Sequence, residues 1–117
     1  MLERRKFIRV DTPVLIEFSD PATGKTQRSF TQDISESGLR FSTETVFQIG
    51  QELTLALSLP FYESAMKATG QVVWIREISR LGGLQFEVGI RFLWIEDPDR
   101  HRLVRHLEVL LNRSRAS

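Results

Sequence analysis

Two short segments of the sequence carry side chains suited to binding a phosphate or a nucleobase. Arg5 and Arg9 have the spacing RxxxR, and Arg4 precedes them directly. A planar guanidinium donates paired hydrogen bonds to phosphate oxygens or to the O6/N7 edge of guanine, and it also stacks on a base. A short basic run taken alone is more often a solvated tail. The apolar residues Phe7 and Ile8 within this run favour a segment that docks.

The second segment is Asp33-Ile34-Ser35-Glu36-Ser37-Gly38, a DxSxxG pattern between two predicted strands. One interpretation is a plain turn, because Asp and Ser bond to nearby backbone and Gly accepts positive φ. In a binding site, the carboxylate of Asp33 would accept hydrogen bonds from N1–H and the N2 amino group of guanine. The hydroxyl of Ser35 would add a hydrogen bond, and Gly38 would let the backbone approach the ligand.

The elements around these segments are predicted to be short antiparallel strands. Leucines alternate with small polar residues from Glu52 to Leu59, which predicts a strand with one buried face. Further strands are predicted from Ala65 to Ile75 and from Gln85 to Leu93, joined by a loop from Arg76 to Gly83. With three shorter strands before residue 43, six strands at close spacing predict a closed barrel.

The C-terminal segment changes to helical periodicity. Asp97 and Pro98 suit the start of a helix, and the apolar residues share one stripe: Leu103, Val104, Leu107, Leu110 and Leu111. That stripe is expected to close the barrel, although it could also seat a partner chain. The prediction is one domain over residues 1–117, with a flexible arginine-rich arm (1–11), a barrel (12–93) and a helix (97–113).

Composition limits the functional classes. The 117 residues are 41% hydrophobic and 26% charged, which is typical of a chain that folds by itself, and there is no cysteine. No stretch of 18 apolar residues and no signal sequence is present, so we expect a soluble, cytoplasmic protein without membrane insertion. Residues 10–99 carry seven basic and thirteen acidic side chains, whereas both ends are basic. A nucleic-acid partner is therefore disfavoured.

The remaining polar and aromatic residues do not indicate catalysis. His101 and His106 are five residues apart, so they would not share a helix face as metal ligands, and we expect both at the surface. Trp74 and Trp94 are expected in the core or at the barrel rim. No motif pairs two carboxylates for acid/base work. The sequence therefore predicts no catalytic residue, no metal, no cofactor and no enzyme activity.

The combination of the two segments resembles the PilZ family, and the resemblance extends over nearly the whole chain. Val72-Val73-Trp74, Val88-Gly89-Ile90-Arg91-Phe92 and the closing helix are similar to that family as well. The resemblance implies an all-β fold with a C-terminal helix, a six-stranded antiparallel β-barrel that binds cyclic di-GMP. The implied ligand-binding residues are Arg4, Arg5, Arg9, Asp33, Ser35, Gly38 and Gly89. Neither motif departs from the family pattern.

The resemblance also implies a mode of action. Cyclic di-GMP would order the arm and change the shape of the domain, which passes the signal to a downstream protein. Arg4 adds positive charge that could offset two stacked ligands, so we expect a mutually intercalated cyclic di-GMP dimer. The alternatives are a small barrel that binds single-stranded nucleic acid and an adaptor that acts without ligand. A hydrolase is disfavoured because the sequence offers no metal cluster.

Overall fold

Alternating apolar and polar residues form six antiparallel strands that close into a barrel, followed by one helix. The computed structural model describes residues 10, 11, 13–59 and 62–116, without the side chains of residues 79, 80 and 113–116. The elements are β1 (Leu15–Ser19), β2 (Thr26–Ile34), β3 (Gly38–Thr43), β4 (Glu52–Ser58), β5 (Met66–Arg80), β6 (Gly83–Ile95) and α1 (Asp97–Ala116). The strand order is β1-β2-β3-β6-β5-β4, and β4 pairs with β1 to complete the closed barrel. The predicted all-β barrel with a C-terminal helix is confirmed.

The core fills the inside of the barrel with the inward-facing side chains of the strands. On β4, Leu53, Leu55 and Leu57 are fully buried while their neighbours are more exposed, as the period of two predicts. Phe18 and Phe41 pack across the interior with ring centroids 4.7 Å apart. Burial of one such side chain contributes about 1.5–3 kcal/mol, so the sum over the interior accounts for most of the favourable free energy of folding.

The hairpin of β5 and β6 is longer than the sequence indicates. The predicted loop from Arg76 to Gly83 is wrong, because Arg80 pairs with Gly83 across the two-residue turn Leu81-Gly82. Gly82 and Gly83 have φ of 97° and 137°, so the tight turn uses the conformational freedom of glycine. The strand β4 pairs with residues 66–71 and β3 with residues 86–91. The distal part of the hairpin therefore extends past both neighbours as a two-stranded ribbon.

The helix α1 packs its apolar stripe on the barrel. Leu103 and Leu107 are buried in the same core as the strand residues. The expected surface position of His106 is wrong, because this side chain is only 7% exposed and lies on the packed face between the two leucines. His101 is exposed as expected. No helix within the described residues combines the length and the apolar character needed to cross a membrane.

Candidate ligand-binding site

The segment that leads into the barrel lies against the end of β2. Val10 forms an isolated antiparallel bridge with Ile34, with hydrogen bonds of 2.9 and 3.0 Å in the two directions. Val10 belongs to the range predicted as a flexible arm, and its backbone is paired here. Arg4, Arg5 and Arg9 lie outside the described residues. The bridge brings the start of the described chain next to the DxSxxG segment.

The DxSxxG segment contributes the end of β2, a three-residue loop and the start of β3. Ser35 is 1% exposed, and its hydroxyl lies 2.9 Å from that of Ser37 and accepts a hydrogen bond from the Ser37 amide. The Ser35 amide donates to the carbonyl of Gly38 at 2.8 Å. Ser35 therefore shapes the loop in this structure. Gly38 does not have a positive φ, so that part of the turn interpretation is wrong, whereas the local hydrogen bonds of Ser35 agree with it.

Two β-bulges turn site residues from the inside of the barrel to the outside. In β2, Thr31 pairs with Phe41 and Asp33 with Arg40, which leaves Gln32 as the extra residue. In β5, Val73 is the extra residue, so Trp74 pairs with Gly89. A bulge of one residue reverses the alternation of side chains beyond it, so Asp33 and Trp74 face outward with Arg40 and Gly89.

The outer face thus carries a row of four residues across four neighbouring strands: Asp33 on β2, Arg40 on β3, Gly89 on β6 and Trp74 on β5. Trp74 and Trp94 are 39% and 53% exposed, so neither lies in the core, which was one of the two expected placements. Sequence reasoning missed Arg40 and Trp74 as site residues. A signal for Arg40 was present, because the core residues Leu39 and Phe41 flank it and therefore direct it outward.

A chain of ion pairs runs from Asp33 and Arg40 in this row to Glu87 on β6 and Arg76 on β5. Arg40 Nη2 lies 2.7 Å from Asp33 Oδ2, and Arg40 Nη1 lies 3.4 Å from Glu87 Oε1. Arg76 Nη2 lies 2.8 Å from the same Glu87 oxygen. Both carboxylate side chains are 6% exposed. Buried carboxylates need such partners, because an unpaired charge away from water is strongly destabilising.

Gly38 and Gly89, the two glycines of the predicted site, each let another part of the protein pack directly against the backbone. A Cβ atom on Gly38 would lie 2.0 Å from the carbonyl oxygen of Ile90, so β3 and β6 come together there more closely than a side chain permits. A Cβ on Gly89 would lie 2.2 Å from Nε1 of Trp74, so the indole covers this glycine. Each glycine thus makes space for another part of the protein.

The row borders a shallow depression of about 200 Å³ on the outer face. Its lining residues are Ser37, Gly38, Leu39, Arg40, Val73, Trp74, Gly89, Ile90 and Arg91. Arg91 brings a positive charge to the depression, whereas the charge of Arg40 is offset by Asp33 and Glu87. The indole of Trp74 beside glycine backbone offers a flat surface for a planar ring. Of the predicted residues, the structure brings Asp33, Gly38 and Gly89 to this face and places Ser35 inside the adjoining loop.

A family model described as PilZ domain matches residues 3–109. The fold is similar to that of Bacillus subtilis MotI/DgrA, an inhibitor of motility, with TM-score 0.76, 20% identity and coverage of 95% of this chain and 53% of that chain. The PilZ domain of Escherichia coli YcgR with c-di-GMP gives TM-score 0.75 and 20% identity, with coverage of 97% and 96%.

A third similar structure is the MrkH–c-di-GMP complex of K. pneumonia, with TM-score 0.78, 18% identity and coverage of 99% of this chain and 57% of that chain. The chain therefore spans about half the length of the MotI and MrkH chains. No curated protein sequence matches.

Proposed function

The chain belongs to the PilZ domain family, and we propose on that premise that it is a receptor module for cyclic di-GMP. The observation that carries the proposal is the outer row of Asp33, Arg40, Gly89 and Trp74 beside the DxSxxG loop. The similar structures of YcgR and MrkH, which contain c-di-GMP, support the choice of ligand. We further propose that residues 1–117 form one PilZ domain, in which the arm (1–11) and the barrel bind the ligand together.

In this proposal Asp33 recognises guanine. A carboxylate accepts two hydrogen bonds from N1–H and the N2 amino group, and adenine lacks that pair of donors. Asp33 lies near the end of β2, where Ile34 is bridged to Val10, so its carboxylate is held close to the entry of the arm. A site built for these donors rejects a base without them, because its own buried polar groups would be left unsatisfied.

The arm supplies the remaining positive charge. Arg9 directly precedes Val10, and the Val10–Ile34 bridge ties that point of the chain to the end of β2. We propose that Arg5 and Arg9 bind the phosphates and the base edges of the dinucleotide with their guanidinium groups. Binding orders the arm over the depression and changes the surface presented to a downstream protein.

Arg9→Ala is expected to weaken cyclic di-GMP binding by about 2 kcal/mol, because a charge-assisted hydrogen bond to the ligand is lost. Lys25→Ala is the matched control. Lys25 precedes β2, so it lies about 26 Å along the strand from Asp33, and its loss removes the same charge without touching the site. Calorimetric titration measures the cyclic di-GMP affinity of both variants. Wild-type affinity in a folded Arg9→Ala protein would show that the arm does not bind the ligand.

Arg4 is proposed to set the number of ligands bound. Two intercalated dinucleotides bring four phosphate charges close together, and a third arginine in the arm offsets part of their repulsion. Arg4→Leu is therefore expected to lower the ligand-to-protein ratio from two toward one while binding persists through Arg5, Arg9 and Asp33. Calorimetric stoichiometry checks this expectation. Saturation of the wild-type protein at one ligand per chain would contradict the dimer.

A further inference from the structure

Arg40 stands between two buried carboxylates on the outer face. Its two terminal nitrogens lie 2.7 Å from Asp33 Oδ2 and 3.4 Å from Glu87 Oε1. The side chain of Arg40 is 34% exposed, whereas both carboxylates are 6% exposed. The same guanidinium therefore pairs with the residue proposed to recognise guanine and with a residue on a different strand.

The remaining contacts fix this guanidinium in place. Arg40 Nε is buried and has no hydrogen-bond partner within the described residues, so the orientation of the fork is set through its terminal nitrogens. Glu87 is itself held by Arg76 at 2.8 Å. The planar fork cannot satisfy both carboxylates in many orientations, so the position of Arg40 constrains the position of the Asp33 carboxylate.

We propose that Arg40 is a positioning residue of the dinucleotide site: it orients the carboxylate of Asp33 toward the guanine edge. This inference rests on the function proposed above and adds a residue outside both motifs. Arg40 affects ligand binding through the carboxylate of Asp33. A carboxylate already held in the productive orientation loses less side-chain freedom when guanine binds, and this raises affinity.

Arg40→Met tests the proposal, because methionine keeps much of the apolar stem and removes both ion pairs. The titrations use cyclic di-GMP with the wild type, Arg40→Met, Asp33→Asn and the double variant, up to millimolar ligand. Arg40→Met is expected to weaken binding about tenfold in the wild type and by less than about threefold in the Asp33→Asn background. This lack of additivity is the signature of an effect transmitted by Asp33.

A general loss of structure is separated from this effect by thermal unfolding of each variant. Glu87→Gln keeps the shape of the side chain and removes one of the two charges that hold Arg40, so it is expected to weaken binding about threefold. If Arg40→Met does not fold, Arg40→Lys takes its place in the cycle, because the ammonium keeps the charge without the planar fork.

Three results would overturn the inference. Wild-type affinity in folded Arg40→Met would show that Arg40 has no role in binding. An equal loss in both backgrounds would show that Arg40 acts on the ligand independently of Asp33. The absence of any cyclic di-GMP binding by the wild-type protein would refute the proposed function itself, and the inference with it, and this result is distinguishable from the other two.

Discussion

Gly38→Ala is expected to lower the free energy of unfolding by about 3 kcal/mol, because the new methyl group has no space. Its Cβ would lie 2.0 Å from the carbonyl oxygen of Ile90 and 3.2 Å from Cα of Arg91, both of which are backbone atoms. Backbone in the middle of β6 cannot move without disturbing the pairing with β3 and β5. The depression borders this contact, so cyclic di-GMP binding is expected to weaken as well.

Urea denaturation of Gly38→Ala beside Gly24→Ala measures this effect. Gly24 has φ of 72° in the turn between β1 and β2, and a Cβ there would meet no atom within 4 Å. The control therefore reports only the strain of a left-handed alanine, about 1 kcal/mol. Equal losses of stability in the two variants would show that β3 and β6 do not approach as closely as this structure places them.

Asp33→Ala is expected to weaken cyclic di-GMP binding by about 2 kcal/mol or more, because guanine loses its charged acceptor. The affinity that remains comes from the arm, so the preference for guanine over adenine should shrink along with it. The fold is expected to persist, because the interior of the barrel does not depend on this outward side chain. Calorimetry with cyclic di-GMP and cyclic di-AMP measures both effects.

Glu44→Ala provides the matched control for Asp33→Ala. Glu44 is exposed and follows the end of β3, whereas Arg40, the ion-pair partner of Asp33, lies near the start of that strand. Its removal makes the same change in net charge away from the depression. If the two alanine variants bind cyclic di-GMP equally well, Asp33 is not the residue that recognises guanine.

The sequence was sufficient for the architecture. Apolar and polar residues alternate along β4 because every second side chain is buried, so the sequence pattern predicts this strand directly. Asp97 and Pro98, which are typical of a helix start, lie at the observed start of α1. The predicted loop at 76–83 failed because residues 76–80, on the β5 side of the ribbon, are charged or polar except for Ile78 and show no alternating apolar stripe that would indicate a strand. Two glycines at its end signal the tight turn more reliably than the surrounding composition.

The site was less predictable, because its geometry depends on contacts between strands that are distant in sequence. The bulges at Gln32 and Val73 are properties of strand pairing, and without them Asp33 and Trp74 would be expected to face inward. The pairing of Arg40 with Glu87 joins residues 47 positions apart, so no local pattern could indicate it. The burial of His106 similarly depends on how α1 packs against the barrel.

Calorimetric titration of the wild-type protein with cyclic di-GMP, cyclic di-AMP and GMP tests the proposed function most directly. We predict saturable binding of cyclic di-GMP with two ligands per chain, because guanine edges meet Asp33 and the phosphates meet the arginines. Cyclic di-AMP should bind at least about 100-fold more weakly, which is the discrimination expected when buried polar groups lose their partners. GMP should also bind weakly, since it offers one base and no second nucleotide. Equal affinity for cyclic di-GMP and cyclic di-AMP, or no binding of either, would contradict the account.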